Sequence, residues 1–535
     1  MDEQPEHRVS TEKSTAVGER QLHRGDYGAE TELQRHLSTR HVTMIALGSS
    51  IGMGLWLGSG KSLAAGGPVG IFLGYILAGS MVWAVSHSIG ELAVLYPLPS
   101  AFVQWTGKFV SPSAAFSLGW AYWFNYILTV ANEIQVTSVV MGFWTDSLPS
   151  AAWITIFWAV VALANVFGVK VFGEIEVVGA SIKFGWILVV IVSLIVTSAG
   201  GAPGHGPIGF RYWTDPFTHG FKGFLSVMPT CIFAMAGSEN CGLVAAETKN
   251  PRRSVPRAVG SIWLRLSLFY ILGAIMVTIN VDPRNKDLFG QSGTNASPFV
   301  IAYREAHLPA LAHMMNAVIL ISVVTTGAIY IYSGSRNILG LAHLGMAPKQ
   351  FKHADASGQP WPGLVLSILL GGGLAYLTVK NSSADVFSWL SNMTSLFTLF
   401  GWGMICLAHI RFRRAWHAQG RSDADLPWRS WTYPYGAWWG LIWCMVLIVV
   451  ELYLAVWPLG TPSSAKTFFS NYVSVVVIVV FYLGARLYYR GPWWIKLTDI
   501  DLDANRRFYV DTETEKMLKK GVRGKAEKAL GVLFN

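Results

Sequence analysis

Long apolar runs separated by short polar loops dominate the chain between residues 42 and 489. Twelve of these runs are close to or longer than the roughly 20 residues that an α-helix needs to cross the apolar core of a bilayer. They span approximately 42–65, 68–95, 113–144, 151–170, 176–198, 221–247, 258–280, 309–342, 361–379, 385–410, 433–457 and 467–489. The pattern predicts an all-α membrane protein with twelve transmembrane helices.

Two of the predicted helices contain clusters of small residues. The first run holds GSSIGMG, from Gly48 to Gly54, and each glycine costs about 0.8–1 kcal/mol relative to alanine inside a helix. The sixth run holds FAMAGSENCG, from Phe233 to Gly242, with Glu239 in its middle. Broken helices at corresponding places in two halves of five helices are typical of inverted-repeat transporters, which bind substrates there. Close helix packing through small residues is the alternative for each cluster.

The composition agrees with a membrane protein and argues against several other classes. Of the 535 residues, 52% are hydrophobic and 13% are charged, whereas soluble domains contain about 25% charged residues. The formal net charge of +10 does not indicate a nucleic-acid partner, because the positive residues cluster in loops between apolar runs. The four cysteines all fall in apolar runs, which argues against disulfides and against a metal site. No catalytic motif appears, so the sequence predicts neither an enzyme nor a cofactor.

Positive charges in the loops predict the orientation of the chain. Those assigned to the loops after the sixth, eighth and tenth runs are Lys249, Arg252, Arg253, Arg257, Arg336, Lys349, Lys352, Arg411, Arg413, Arg414, Arg421 and Arg429. With twelve spans these loops lie on the same side as both termini, and the positive-inside rule makes that side cytoplasmic. Residues 1–40 and 491–535 are therefore expected to be cytoplasmic tails, the first of them disordered because it lacks an apolar core.

Five segments of the chain carry a family signature. They are RHVTMIALGSSIGMGLWLGSG (Arg40–Gly60), FAMAGSENCGLVAAETKNPRRSVPRAV (Phe233–Val259), SGSRNILGLAHLGMAPKQF (Ser333–Phe351), LAHIRFRRAW (Leu407–Trp416) and DIDLDANRR (Asp499–Arg507). In this order they resemble the amino acid permeases of the amino acid–polyamine–organocation superfamily, and most of all the fungal plasma-membrane members.

The resemblance implies both a fold and a function. The fold is of the leucine-transporter type, with a transporter domain at residues 41–490. Within it, residues 41–200 and 220–412 form inverted repeats of five helices, and helices eleven and twelve lie at 433–490. The function is import of amino acids across the plasma membrane by proton symport with alternating access.

An amino acid is a zwitterion, so its site must satisfy a carboxylate and an ammonium group. Backbone N–H groups at the start of a half-helix suit a carboxylate, and free carbonyls at the end of a half-helix suit an ammonium group. By resemblance the N–H groups come from Ser49, Ser50, Ile51, Gly52, Met53 and Gly54, and the carbonyls from Ile232, Phe233, Ala234 and Gly237. Family members usually have threonine in place of Met53, which here offers only its backbone. Phe233 is either an aromatic gate or a packing residue.

We single out three ionisable residues in the predicted spans, Glu133, Lys183 and Glu239, because a charge at membrane depth costs at least ~2.5 kcal/mol on insertion scales. Glu239 matches a family glutamate and is either functional or a hydrogen-bonding group for unwound backbone. Lys183 matches a family lysine of helix five. In sodium-coupled relatives of this fold a cation lies between helices one, five and eight, so the lysine either replaces it and couples protons or forms a permanent ion pair. Glu133 matches an acidic position of fungal members and either faces the pocket or pairs with a neighbour.

Two alternative functions stay open on the sequence alone. The same fold would serve an exchanger or a carrier of a related amine, such as γ-aminobutyrate or choline. It would also serve a nutrient sensor with little flux. The expected partners are an amino acid, protons, the lipid bilayer and ubiquitin ligase adaptors at the tails. The candidate ubiquitin acceptors are Lys13, Lys516, Lys519, Lys520, Lys525 and Lys528.

Overall fold

The computed structural model describes residues 27–28, 33, 35–292, 294–460 and 462–509. The candidate ubiquitin acceptors Lys13, Lys516, Lys519, Lys520, Lys525 and Lys528 lie outside these residues, as does most of each predicted tail. The chain divides into two compact units. In the unit of Met1–Glu30 and Asp503–Asn535, strands β1 (Tyr27–Gly28) and β2 (Arg507–Phe508) pair in antiparallel fashion.

The other unit, Thr31–Leu502, is helical. Its α-helices up to residue 198 are α1 (Thr39–Gly48), α2 (Met53–Trp56), α3 (Gly58–Leu95), α4 (Ala101–Phe109), α5 (Pro112–Met141), α6 (Ser150–Val166) and α7 (Val169–Ser198). Those that follow are α8 (Gly220–Met235), α9 (Asn240–Leu243), α10 (Pro251–Arg265), α11 (Gly273–Asn280), α12 (Pro298–Glu305), α13 (Pro309–His343), α14 (Trp361–Ala375), α15 (Ser383–Ala418), α16 (Tyr435–Val456) and α17 (Ala465–Tyr489). A π-helical segment, Leu266–Leu272, joins α10 to α11.

Nine helical segments of the described residues are long and apolar enough to cross a membrane, the first being Gly58–Leu95 and the last Ala465–Tyr489. Each of the twelve apolar runs is helical over most of its length. The 30-residue α5 is not among the nine. It carries several buried polar side chains, namely Asn125, Asn132, Glu133 and Gln135. Since α5 packs against α13, α14, α15 and α17, these side chains face protein on several sides.

Local signals explain where the helices begin and end. The Ser111 hydroxyl accepts a hydrogen bond from the Ala114 N–H and caps α5, which has Pro112 in its first turn. Gly67 has a φ of +74° and separates the first and second apolar runs inside α3. A Cβ there would lie 2.8 Å from the Pro216 carbonyl oxygen, so glycine is needed for both conformation and space.

Both predicted helix breaks are present. The first broken helix consists of α1 and α2, separated by Ser49–Gly52, with Gly52 extended at φ −135° and ψ −153°. The second broken helix consists of α8 and α9, separated by Ala236–Glu239, with Gly237 at a φ of +95°. The small-residue clusters therefore interrupt the helices at the places where the sequence predicts it.

Candidate functional site at the helix breaks

The two breaks contact each other closely. The Ser49 hydroxyl donates to the Gly237 carbonyl oxygen at 3.0 Å. A Cβ at Gly54 would lie 2.7 Å from the Cα of Ala234, and one at Gly237 would lie 3.1 Å from the Ser49 carbonyl oxygen. Only glycine allows backbones to approach this closely. The ten residues that the resemblance assigns to the substrate are Ser49, Ser50, Ile51, Gly52, Met53, Gly54, Ile232, Phe233, Ala234 and Gly237, and all are buried at these breaks.

The carbonyls assigned to the ammonium group already have donors. Those of Ile232 and Phe233 accept from the Ala236 N–H at 2.9 and 3.2 Å, that of Ala234 from the Tyr270 hydroxyl at 2.6 Å, and that of Gly237 from the Ser49 hydroxyl and the Asn240 N–H. A carbonyl oxygen has two lone pairs. The first three therefore keep one acceptor position for an ammonium group, whereas both positions of the Gly237 oxygen are filled.

Tyr270 links the two breaks from the π-helical segment. Its hydroxyl lies 2.6 Å from the Ala234 carbonyl oxygen and 3.0 Å from that of Ser50. Because a hydroxyl has one proton, it donates to one of these carbonyls at a time. Our sequence analysis missed Tyr270, since a tyrosine in an apolar run carries no distinctive signal. Single π-turns are frequent at functional sites.

Glu133 reaches the first broken helix from α5. Its two carboxylate oxygens accept from the Met53 N–H at 3.1 and 3.3 Å, at the start of α2. A Cβ at Gly52 would lie only 2.4 Å from Glu133 Oε1. A negative group suits the N-terminus of a helix, where N–H groups have no partner within the helix. Glu133 therefore faces the break, on a backbone donor that the resemblance assigns to the substrate carboxylate.

Lys183 lies between three helices. Its ammonium group donates to the Gly48 carbonyl oxygen of α1 and to the Thr326 hydroxyl of α13, both at 3.2 Å. Thr326 in turn donates to the Ile51 carbonyl at 2.9 Å. The lysine side chain is fully buried. These helices correspond to runs one, five and eight, so Lys183 occupies the position at which the resemblance expects a cation.

Glu239 accepts hydrogen bonds from the backbone of the second break and from a side chain of α15. The Gly237 N–H lies 3.1 and 3.2 Å from its two carboxylate oxygens, and the indole N–H of Trp402 in α15 lies 3.0 Å from Oε2. The side chain is fully buried. Glu239 thus satisfies unwound backbone and ties the second broken helix to α15.

Arg265 is a buried cation that the sequence analysis did not single out. At the end of α10, it donates from Nη1 to the Ala46 carbonyl at 2.6 Å and from Nη2 to the Ser238 hydroxyl at 2.5 Å. It therefore connects the last turn of α1 with the second break. A cation at the carbonyl end of a helix is electrostatically favourable.

Three aromatic rings cover the site on the side of Lys61. Phe387 lies edge-to-face against Phe233 at 5.7 Å and against Phe289 at 5.3 Å. The Lys61 ammonium group donates to the Ser388 hydroxyl at 2.7 Å and stands 5.7 Å from the centre of the Phe387 ring. Phe233 therefore packs in a group of aromatic rings beside the second break.

A buried ionic cluster, away from the two breaks, joins α3 to α15 and to the loop that follows α15. Glu91 Oε1 lies 2.6 Å from Arg413 Nε and 3.0 Å from His409 Nε2, and Glu91 Oε2 accepts from the Ser430 N–H at 2.7 Å. Arg413 also pairs with Asp423. Burial acts to raise the pKa of Asp423, but the hydrogen bond from His417 and the charge of Arg413 outweigh it, and the pKa lies below its ordinary value.

Arg336 and Arg413 are not loop charges, contrary to the sequence prediction. Both are buried within helices. Arg336 pairs with Glu247 at 2.8 Å and lies over the ring of Tyr332, while Arg413 pairs with Glu91. Each cation lies opposite a buried carboxylate, which explains why it is tolerated inside the fold.

Several other ionisable residues are buried where the sequence analysis did not predict it. Glu91, Glu176, Arg265, Arg336, Arg413 and Glu451 are all buried in helices of the described residues. All of them except Arg413 fall inside the predicted apolar runs, so counting every charged residue in those runs would identify these five. The length and the mean hydropathy of a run do not identify them, because one charge in a long run hardly changes its mean hydropathy.

Comparison with known proteins supports the resemblance. The family described as amino acid permease matches residues 41–494. The chain is 38% identical to the amino-acid permease GAP5 of Candida albicans over 483 residues, which cover 90% of this chain and 78% of the relative. It is 38% identical to the lysine-specific permease of Saccharomyces cerevisiae, over 93% of this chain and 82% of that permease. It is 37% identical to the general amino-acid permease GAP1 of the same yeast, over 90% of this chain and 81% of that permease.

These matches span nearly the whole chain, including both helix breaks, Glu133, Lys183 and Glu239. Permeases are transporters rather than enzymes, and the apolar helices agree with an integral, multi-pass membrane protein. The chain belongs to the amino acid permease family.

Proposed function

We propose that this chain imports amino acids across the plasma membrane by proton symport with alternating access. The observation that carries the proposal is the direct contact between two helix breaks, beside which the Lys183 ammonium group binds the last carbonyl of α1. Membership of the amino acid permease family supports an amino acid as the substrate. Related permeases include one named as general and one named as lysine-specific, so the range of substrates has to be measured.

The architecture we propose has twelve transmembrane helices. Residues 41–200 and 220–412 form inverted repeats of five helices, and residues 433–490 add two more. This assignment is supported by the two breaks, which fall in the first and sixth apolar runs. Both termini would be cytoplasmic, in keeping with Lys249, Arg252, Arg253 and Arg257 between the sixth and seventh runs.

The substrate carboxylate would bind at the start of α2. There it would replace the Glu133 carboxylate on the Met53 N–H and use the neighbouring N–H of Gly54, which has no partner within the helix. The substrate ammonium group would use the second lone pairs of the Phe233 and Ala234 carbonyls. Its side chain would extend toward Tyr330, whose hydroxyl would lie 2.9 Å from a Cβ on Gly237, and toward Tyr126, whose ring centre lies 5.9 Å from that of Tyr330.

Three ionisable groups would couple this binding to protons. Glu133 would take up a proton when the substrate displaces it from the Met53 N–H, because a buried carboxylate without a donor is costly as an anion. Lys183 would release a proton as α1 moves away from it, since its ammonium group binds α1 directly. Glu239 would transmit movement of the second break to α15 through Trp402.

Uptake in a yeast strain that lacks its own permeases tests the function. Labelled amino acids, γ-aminobutyrate, choline and S-adenosylmethionine would be supplied separately, with and without a proton uncoupler. We expect accumulation of one or more amino acids and its loss with the uncoupler. Accumulation that the uncoupler leaves unchanged would overturn proton symport. Uptake of the amines without uptake of any amino acid would overturn the proposal that the substrate is an amino acid.

Lys183→Met sharpens this test. The variant keeps the apolar stem but removes the ammonium group from Gly48 and Thr326. We expect it to lose concentrative uptake and to keep exchange of labelled for unlabelled substrate. A Lys183→Met protein that still accumulates substrate, with an unchanged pH profile, would leave Lys183 a structural role only.

A further inference from the structure

Glu176 on α7 is a buried carboxyl group that the transport scheme above does not use. Its side chain is fully buried. Neither of its carboxylate oxygens has a hydrogen-bond partner among the described residues. Buried polar groups in proteins are nearly always hydrogen-bonded, and a buried carboxylate without a partner carries a large desolvation cost.

Glu176 lies on the same face of α7 as Lys183. The two are seven residues apart, or two helical turns, which brings them to one side of the helix. Lys183 is also a charged neighbour of both Glu176 and Glu133. The three groups therefore follow one another, with Glu133 at the first break, Lys183 between helices, and Glu176 nearer the start of α7.

The Lys183 side chain is directed toward the start of α7. Its ammonium group binds the Gly48 carbonyl at 3.2 Å, and a Cβ on Gly48 would lie 3.0 Å from the Cβ of Ala180, which precedes Lys183 by about one turn. No hydrogen bond joins Lys183 to Glu176 among the described residues. A proton would therefore have to cross between them by way of a water molecule.

The start of α7 leads on to an exposed ionic group. Glu174 is half exposed and pairs with Arg40 at 2.6 Å and with His41 at 2.8 Å, both from α1. In the proposed orientation this end of α7 faces the cytoplasm. Glu176 therefore lies between the buried lysine and the cytoplasmic end of the helix.

Several other charged or titratable groups surround this end of α7. They are Lys170, Glu174 and Lys183 on α7 itself, Arg40 and His41 on α1, and Tyr332 on α13, which stacks on Phe172. Arg40 and His41 both pair with Glu174. Lys183 is the group whose charge acts on Glu176.

We propose that Glu176 is the proton acceptor through which Lys183 releases its proton to the cytoplasm. The Lys183 ammonium group would lose a proton as its N–H bond breaks, and a new O–H bond would form on the Glu176 carboxylate. The products are a neutral amine and a neutral carboxylic acid. Because a buried carboxylate without a partner is costly, Glu176 would rest as the neutral acid and would first give its own proton to water at the start of α7. The carboxylate formed in this way accepts the proton of Lys183, which restores the acid. This proposal rests on proton symport as the proposed function.

The neutral products lower the free-energy cost of the step in a buried site. Two opposite charges that make no direct contact retain most of their desolvation cost. Transfer of the proton removes both charges at once.

Glu176→Gln tests the proposal, with Glu174→Gln as the matched control two residues earlier on the same helix. The purified proteins would be reconstituted in liposomes with a pH dye inside, and a ¹⁴C-labelled mixture of the protein amino acids would serve as the probe. Three quantities would be measured: accumulation driven by an inside-alkaline pH gradient, acidification of the interior, and exchange against the unlabelled mixture. Glutamine has the same shape and no charge to bury, so a folded variant is expected.

For Glu176→Gln we expect accumulation and acidification to fall about 100-fold or more, at the lower end of the range for a lost acid–base group, with exchange retained. Glu174→Gln should behave like the wild type. Wild-type accumulation and acidification in Glu176→Gln would overturn the proposal, and so would an equal loss of exchange. If the wild-type protein shows no accumulation driven by the pH gradient, proton symport itself is overturned, and the proposed role of Glu176 with it.

Discussion

Both carboxylate oxygens of Glu133 accept from the backbone N–H of Met53, Oε2 at 3.1 Å and Oε1 at 3.3 Å, although 80 residues separate the two in sequence. This N–H is one of the donors that the resemblance assigns to the substrate carboxylate. One N–H serves one strong acceptor, so Glu133 and a substrate carboxylate compete for it. Substrate entry and release of Glu133 are therefore linked.

Glu133→Gln should lower the rate of uptake about tenfold or more and remove its dependence on external pH. In the wild type, acid protonates Glu133, weakens its hold on the Met53 N–H and favours substrate, so uptake should rise as pH falls. Glutamine does not titrate and cannot show this rise. Initial rates of uptake of the labelled amino acid mixture across a range of external pH would measure both effects.

Glu451→Gln is the matched control for Glu133→Gln. Glu451 is also a buried carboxyl on a membrane helix, but it accepts a hydrogen bond from Ser395, away from both breaks. Its variant should keep the wild-type pH profile. A Glu133→Gln protein with the wild-type rise toward acid pH would show that another group links protons to binding.

Gly54→Val should abolish uptake while the protein still reaches the cell surface. The added side chain would begin 2.7 Å from the Cα of Ala234 and 2.9 Å from the Phe233 ring, so it would force the two breaks apart. Gly52→Val should act similarly, through Glu133 at 2.4 Å. Uptake would be compared with surface expression of a tagged protein. Gly185→Val is the control, because nothing lies within 4 Å of a Cβ there, and normal uptake by Gly54→Val would remove the site from the first break.

The helix breaks themselves could be predicted from sequence because their cause is local. Glycine and other small residues weaken a helix wherever they occur, and their place in the first and sixth runs needs no knowledge of contacts. The partners of the breaks could not be predicted in this way. Which side of α5 carries Glu133 toward Met53 depends on helix tilt and rotation, which packing against neighbouring helices decides.

Glu91 shows a second limit of prediction from sequence. Its position near the end of the second run suggests the membrane interface. In the structure it is fully buried, because the loop after α15 folds over it and Ser430 donates to its carboxylate. A loop of ordinary polar composition gives no sign in the sequence that it will cover a helix end.

Arg413→Met should destabilise the protein, whereas Arg414→Met should not. Arg413 is buried and pairs with Glu91, so its removal leaves a buried carboxylate without its main cation and costs about 3–5 kcal/mol. Arg414 is exposed, and its guanidinium group lies 5.7 Å from the Trp438 ring. Unfolding of the purified proteins in detergent would measure the difference. Adding Glu91→Gln to Arg413→Met should recover part of the loss, and equal stability of the two arginine variants would show that the buried pair does not stabilise the fold.

Glu239→Gln should reduce the rate of uptake about tenfold or more while changing stability by only about 1 kcal/mol. The carboxylate accepts from the Gly237 N–H on both oxygens and from the Trp402 indole on one. Glutamine keeps one acceptor oxygen and loses the charge. Initial uptake rates and unfolding of the purified protein would separate the two effects.

Trp402→Phe distinguishes the charge of Glu239 from its link to α15. This variant removes the hydrogen bond from the Trp402 indole to Glu239, and the Glu239 carboxylate still accepts from the Gly237 N–H. If charge is the working property, Trp402→Phe should keep most of its uptake, and the double variant should be no slower than Glu239→Gln alone. If the link to α15 matters instead, both single variants should lose uptake to a similar degree. If Glu239→Gln transports like the wild type at every pH tested, Glu239 is a structural hydrogen-bonding group, and coupling is left to Lys183 and Glu133.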